Sequence, residues 1–310
     1  MSSRAALLAV LAALVAAVAG CGVGPGDERE GSGATLRVTR DFGATVLSSD
    51  RVEKLREDQT VMRLLRADND VETRYGGNFV QSIDGLSGGG ESGSADWFYF
   101  VNGIWAGKGA AEYELNPGDV VQWDYRNWRA AMVGATVGAF PEPFLHGAEG
   151  RRFPTRVECE DAASRACERV KDKLDRAGVP ATGASLGATG NQQVARVVVA
   201  TWARARELPT VRALEGEPDE SGVFARFRDG GRSVELLDER GEVAATQGPD
   251  TGIVAARRPS DTEILWVLTG GDQRGVDAAV QAFDAATLRD AFAVAATPDG
   301  PQHLPVKDGS

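Results

Sequence analysis

Two stretches of this 310-residue chain carry residue types in spacings that could do chemistry. Gly183-Ala184-Ser185-Leu186-Gly187 has the Gly-x-Ser-x-Gly form of a nucleophile elbow. That motif works only when a buried strand precedes it and a helix follows, so that the serine hydroxyl stands on the turn. Residues 176–182 do not read as a buried strand, and the only downstream histidine is His303, near the C-terminus. A hydrolase triad is therefore not assembled. The run Leu268-Thr269-Gly270-Gly271-Asp272-Gln273-Arg274-Gly275 joins a strand to a helix, whose N-terminus could hold an anion. The Lys-Ser/Thr of a phosphate loop is absent, and Asp272 reads as a helix N-cap. The other carboxylates scatter over charged faces and loops without forming an acid–base pair. The chain reads as non-enzymatic, with no catalytic residue and no cofactor.

The cysteines carry a more specific signal. Arg4 supplies a positive start, residues 5–19 are an unbroken run of Ala, Leu and Val, and Val18-Ala19-Gly20-Cys21 closes it. Small residues directly before a cysteine are the pattern of the bacterial lipobox. It implies an export signal over 1–20, a thioether lipid on Cys21, cleavage before it, and acylation of the new amine. The apolar run falls short of the ~20 residues a membrane-spanning helix needs. Two or more acyl chains anchor stably, at about 0.8 kcal/mol per buried methylene. The expected location is extracytoplasmic, lipid-anchored to the membrane.

Outside the plasma membrane the remaining pair, Cys159 and Cys167, favours a disulfide. Zinc is a poor alternative, because the only histidines, His146 and His303, lack ligand spacing to the cysteines. Eight residues along one straight helix span about 12 Å, beyond the ~7 Å between α-carbons that a disulfide tolerates. Cys159 should therefore end a strand before the helix, with the chain bending back.

The formal net charge is −11, and removing the leader removes only Arg4, leaving −12. No basic stripe offsets this, so nucleic acid and acidic membrane surfaces should be repelled. About 290 mature residues favour two domains.

Residues 21–33 are rich in Gly, Pro and charge and read as a flexible lipidated tether. A first domain spans 34–129. It has strands at 35–39 and 45–50, a short helix at 58–67, strands at 71–75 and 78–83, and a Gly/Ser-rich loop at 87–94. Residues 97–101 give the strongest strand, Asn102-Gly103 a hairpin turn, and 112–115 and 120–125 two further strands. A second domain spans 130–297. It opens on a strand at 135–139, then a strand at 156–159 and an amphipathic helix at 161–177. A buried strand follows at 194–200, with a partly helical stretch at 201–214. A meander is expected from 223–227, 233–237 and 252–256, then a buried strand at 264–269 and a helix at 276–283. Residues 298–310 read as a flexible tail. Mixed strands and helices make the chain α+β, the second domain being mixed α/β.

Asp96-Trp97-Phe98-Tyr99-Phe100-Val101-Asn102-Gly103 and Tyr113-Glu114-Leu115-Asn116-Pro117-Gly118-Asp119-Val120-Val121-Gln122-Trp123 carry a resemblance. Through them, residues 34–128 resemble the C-terminal domain of the transcobalamin and intrinsic factor family, which also occurs in bacterial envelope lipoproteins. The shared pattern is an aromatic strand ending in Asn-Gly, then an apolar strand, Gly-Asp, and a strand with an aromatic. The resemblance implies a β-grasp-like fold for the first domain. It also implies a corrinoid-like or other flat ligand, and a membrane importer as the recipient.

Four of the six tryptophans and all four tyrosines fall in the first domain. Trp97, Tyr99 and Val101 share one strand face, and Phe98 and Phe100 the other. One face should pack on the helix; the other is covered by the second domain or forms a flat platform. The ligand-binding candidates are Trp97, Tyr99, Asn102, Trp105, Tyr113, Trp123 and Tyr125, with Trp105 first because it lies beside a turn. Two readings stand at this level. One is a membrane-anchored ligand-capture or accessory lipoprotein that passes a corrinoid-like nutrient to an importer. The other is an envelope module that binds protein or wall polymer without a small-molecule ligand. A capture site leaves part of the aromatic cluster exposed, whereas a scaffold buries it.

Overall fold

The computed structural model describes residues 33–77, 79–89, 93–188 and 193–307. The expected export signal, Cys21 and nearly all of the tether lie outside the described residues. None of the described helices is long and apolar enough to cross a membrane. The architecture is mixed and sheet-rich, with several sheets, in keeping with the α+β class.

The N-terminal unit is built on strands β1 (Ala34–Arg40), β2 (Thr45–Val52), β6 (Ala95–Val101), β7 (Ile104–Trp105) and β8 (Val120–Asn127), with β3 (Val71–Arg74), β4 (Phe79–Ile83) and β5 (Leu86–Ser87) forming a separate small sheet. The main sheet runs β2-β1-β8-β6-β7, and β1 and β8 are parallel at its centre. Period-two alternation decides which face each side chain takes. Leu36, Val38, Trp97, Tyr99, Val101, Val121 and Trp123 pack on helix α1 (Val61–Asp68) through its buried Val61, Leu64 and Leu65. The Thr60 hydroxyl caps that helix by accepting from the Arg63 amide at 3.2 Å. The helix therefore starts three residues later than its acidic flank suggested, and Asp58 instead pairs with Arg63 from outside. The expected strand at 112–115 is a turn, with a single bridge between Glu114 and Thr60.

The C-terminal unit centres on a seven-stranded sheet of order β10-β9-β11-β16-β15-β17-β18. Its strands are β9 (Thr155–Cys159), β10 (Ala181–Ser185), β11 (Val194–Thr201), β15 (Gly252–Ser260), β16 (Glu263–Gly270), β17 (Ala293–Thr297) and β18 (Gly300–Leu304). The first four in sheet order are parallel, and the rest pair antiparallel. Helices α2 (Arg165–Arg176) and α3 (Gln273–Ala282) cover one face, over Val157, Val197, Val199, Trp266 and Leu268. Asp272 caps α3 by accepting from the Gly275 amide at 3.0 Å, as its position suggested. The opposite face carries Val198, Leu265 and Val267 against Trp202, Phe224 and Phe227, and a three-stranded sheet of β12 (Ala225–Arg228), β13 (Ser233–Leu237) and β14 (Val243–Gln247) lies there.

Three expectations for this unit are corrected. Residues 252–256 are buried throughout and take a central place in the large sheet; half-exposed 243–247 completes the meander instead. A strand buried on both faces belongs inside a covered sheet, not on a small surface one. Residues 300–304 are not a loose tail but an edge strand on β17, and beyond it the Val306 amide donates to the Leu237 carbonyl at 2.8 Å. Residues 135–139 form no strand. They are turns between the units, held by one bridge from Ala135 to Ile104 and by the Val137 amide on the Phe292 carbonyl. Cys159 ends β9 and Cys167 lies in the first turn of α2, and their disulfide joins α-carbons 6.1 Å apart.

Candidate functional site

The aromatic residues of the Asp96–Gly103 and Tyr113–Trp123 segments do come together, but as interior. Tyr99 stacks on Trp123 with centroids 4.8 Å apart and meets Tyr113 edge-on at 6.3 Å. Trp97 lies 5.3 Å from Tyr125. Trp97, Tyr99, Tyr113 and Trp123 are all buried, while Tyr125 is half-buried. Most of their polar tips are already engaged. Trp97 Nε1 donates to the Leu86 carbonyl at 2.9 Å, and Tyr99 Oη donates to the Lys108 carbonyl. Tyr125 Oη donates to the Ser87 carbonyl at 2.9 Å, and Tyr113 Oη accepts from the Glu149 amide at 3.2 Å. Burial holds the Tyr99 and Tyr113 hydroxyls well above their ordinary pKa, so both stay neutral. These side chains offer no platform to a flat ligand in this conformation. Of the seven ligand-binding candidates only Trp105 is substantially exposed, at 38%, with its backbone tied to Gly134 and Arg258; outside that set Tyr75 and Trp128 are exposed too.

Asn102 is a junction. It adopts φ +56° before Gly103 at φ +73°, as the turn signal implied. Its buried side chain donates to Asp119 Oδ1 at 2.8 Å and to the Gly147 carbonyl at 3.0 Å, and accepts from the Val120 amide. The Asn-Gly and Gly-Asp motifs are thereby joined to each other and to the segment leading into the second unit. Burial raises the Asp119 carboxyl above its usual range, opposed by the donors from Asn116 and Asn102. Beside it, Glu142 Oε1 lies 2.5 Å from His146 Nδ1, and the His146 ring packs where a Cβ on Gly118 would stand.

The second face of β6 and β8 is covered by the C-terminal unit. Phe42 meets Phe224 at 4.9 Å and Phe292 at 5.3 Å, and Phe100 meets Phe292 at 5.4 Å. Inside this ring of phenylalanines lies Arg126, fully buried. Its guanidinium carbon is 4.3 Å from the Phe98 centroid, 5.1 Å from Phe100 and 5.2 Å from Phe292. None of its three guanidinium nitrogens has a hydrogen-bond partner among the described residues. Its counter-charge, Asp124, accepts from Thr39 Oγ1 at 2.7 Å and from the Phe42 and Gly43 amides. At the seam's rim, Arg37 Nη1 donates to Asp290 Oδ1 at 3.0 Å and to the Gly138 carbonyl at 3.1 Å. The sequence reading missed Asp124 and Arg126. Their signal was two charges at i and i+2, on the strand face that also holds Phe98 and Phe100.

Ser185 of the Gly-x-Ser-x-Gly stretch lies in edge strand β10, opposite Cys159, and not on a strand-to-helix turn. Among the described residues no group of three or more His, Cys, Asp or Glu side chains is arranged to hold a metal ion.

Residues 58–127 match the family model described as a domain of unknown function (DUF4430), which covers less than half of the chain. Among solved structures, the chain is similar to one from Ruminococcus gnavus ATCC 29149 described as "a putative metal binding protein". The identity is 15%, the likeness covers 31% of this chain and 97% of that one, and the TM-score is 0.25. No curated protein matches the chain.

Proposed function

We propose that this protein is a non-enzymatic, lipid-anchored module of the cell envelope, in which two sheet-based units form one body that engages an envelope partner. The observation that carries this reading is the burial of Trp97, Tyr99, Tyr113 and Trp123. A capture protein for a flat nutrient needs apolar surface in a concave site. Here one face of the aromatic strand is core and the other is sealed by Phe42, Phe224 and Phe292. The N-terminal unit is β-grasp-like in this reading: its sheet order, its parallel central pair and its single packed helix support the likeness to the transcobalamin C-terminal domain. The Val18-Ala19-Gly20-Cys21 boundary supports export and lipidation at Cys21.

Two experiments test this. Cys21→Ala should release the protein from membranes or stall it as uncut precursor; a processed variant that stays membrane-bound removes the anchor. Titration of the intrinsic tryptophan fluorescence with cobalamin and with cobinamide should give no saturable change beyond inner-filter loss. A saturable shift that Trp105→Ala abolishes restores the capture reading.

A further inference from the structure

A cleft of about 590 Å³ opens on the C-terminal unit, away from the aromatic cluster and the seam between units. Its wall is a charge-balanced array on the face of the large sheet. Glu158, on β9, is fully buried between two guanidiniums. Arg196 grips it in bidentate fashion, Nε to Oε1 and Nη2 to Oε2, each at 2.8 Å. Arg156 donates to the same carboxylate through Nε at 2.9 Å and to the Ala188 carbonyl through Nη2 at 3.0 Å. Arg196 Nη1 reaches Glu263 Oε1 at 2.5 Å. Two positive and two negative charges cancel, and each planar group is fixed by its neighbours.

The array is not exhausted by its internal bonds. A guanidinium has five N–H donors, and Nη1 of Arg156 has no protein acceptor among the described residues. Glu263 accepts through Oε1 and keeps a second oxygen. Thr210 and the neighbouring pair Ser260 and Thr262 add hydroxyls to the lining, and Leu208 and Pro209 supply apolar patches. Donors, acceptors and short apolar surfaces therefore alternate around an opening with no net charge.

We propose that this cleft binds a neutral, hydroxyl-rich saccharide unit. A sugar hydroxyl both accepts and donates, so it can take a hydrogen from Arg156 and give one to Glu263, while its C–H edges lie on Leu208 and Pro209. An anion gains little here, because Glu158 and Glu263 already neutralise the guanidiniums. Assigning the saccharide to an envelope polymer rests on the envelope-module reading; the site itself does not.

The test is calorimetric titration of the full-length protein in detergent with maltotriose, cellotriose and tri-N-acetylchitotriose, with citrate and inorganic phosphate as the anionic arms. At least one trisaccharide should bind saturably. Binding should fall about tenfold when Thr262→Val and Thr210→Val remove neutral hydrogen-bonding groups, with unchanged thermal melting, and should survive Trp105→Ala. Leu208→Trp should block it by filling the cleft. The proposal is overturned if no trisaccharide binds up to about 20 mM, well above the millimolar range of weak specific sites, if citrate or phosphate binds in their place, or if the cleft variants leave binding unchanged. Absent binding in a protein that still needs Cys21 for membrane retention sinks the cleft and leaves the envelope reading standing.

Discussion

Asp124 and Arg126 stand two residues apart on one strand, both wholly inaccessible to solvent, with Oδ2 and Nη1 4.0 Å from each other. The partnership is uneven. Asp124 is held by one hydroxyl and two backbone amides, whereas among the described residues Arg126 has only its distant carboxylate and four phenylalanine rings. Burial pushes the Asp124 carboxyl up to about 6, against the pull of Arg126 and its hydrogen bonds. The same burial lowers Arg126 to about 10.

A buried, unbonded guanidinium is costly to desolvate, and an apolar side chain of similar length avoids that cost. Arg126→Met should therefore change stability by less than about 1 kcal/mol or raise it, since Asp124 keeps its three donors and can take a proton. Asp124→Ala should cost about 3 kcal/mol or more, because it strands two amides and the arginine, while the Thr39 hydroxyl keeps the Trp123 carbonyl at 3.0 Å. Urea unfolding of the two variants decides this; the reverse order would refute the account.

The raised Asp124 pKa also fixes a pH dependence. Between about 4 and 6 the folded state binds more protons at this site than the unfolded chain does, whose aspartate titrates near 3.9. Asp124's contribution to stability is thus fully present below that lower value and is lost as pH rises through about 6. Asp124→Asn should remove this loss, so the stability difference between the native protein and the variant should shift in the variant's favour from pH 4 to pH 7. Equal pH profiles would count against it.

Trp97 and Trp105 lie eight residues apart and should behave oppositely. Trp97→Ala should destabilise by about 3–5 kcal/mol, as large-to-small core changes do, and lose the hydrogen bond to Leu86. Trp105→Ala should cost about 1 kcal/mol or less, because much of its ring is already in water. Thermal melting without any ligand separates the two.

Gly138, in the segment between the units, packs closely on the Asp290–Ala291 backbone. A Cβ there would lie 2.8 Å from the Asp290 carbonyl carbon and 2.9 Å from the Ala291 amide nitrogen. Gly138→Ala should push the segment away from Asp290, weaken the Arg37 contacts and open the seam. Limited proteolysis should then cut within 130–140 far faster than in the native protein. An unchanged digestion pattern would show that the units do not depend on this contact.

The Cys159–Cys167 bond closes a short loop between β9 and α2. Replacing both residues with serine should lower stability by about 2–3 kcal/mol, readable as a lower melting temperature. Thiol labelling of the unfolded, unreduced protein should find neither cysteine free.

Much of the N-terminal sheet was legible because its signals are local. Alternation in 97–101 assigns each side chain to a face, and Asn102-Gly103 can turn because both accept positive φ. The place of Cys159 at a strand end before the helix was legible by exclusion, since one straight helix cannot bring the two cysteines within bonding reach. Residues 300–304 were not, because Pro301 and His303 carry no strand pattern; an edge strand needs only a neighbour's free backbone, here β17. Nor did composition reveal that Arg126 is buried, since an isolated charge on a strand ordinarily faces water.

The sequence alone determined the acidic charge, the strand faces and the turn at Asn102, because each is set by composition or by neighbours a few residues away. Only the tertiary structure decided what those faces meet. The docking of Phe224 and Phe292 onto Phe42 and Phe100 turned a conceivable ligand platform into an interior. The packing of β9 beside β11 brought Arg156, Glu158 and Arg196 into one array. Both outcomes depend on residues tens to hundreds of positions apart, and burial and electrostatics act through space, which local residue patterns do not encode.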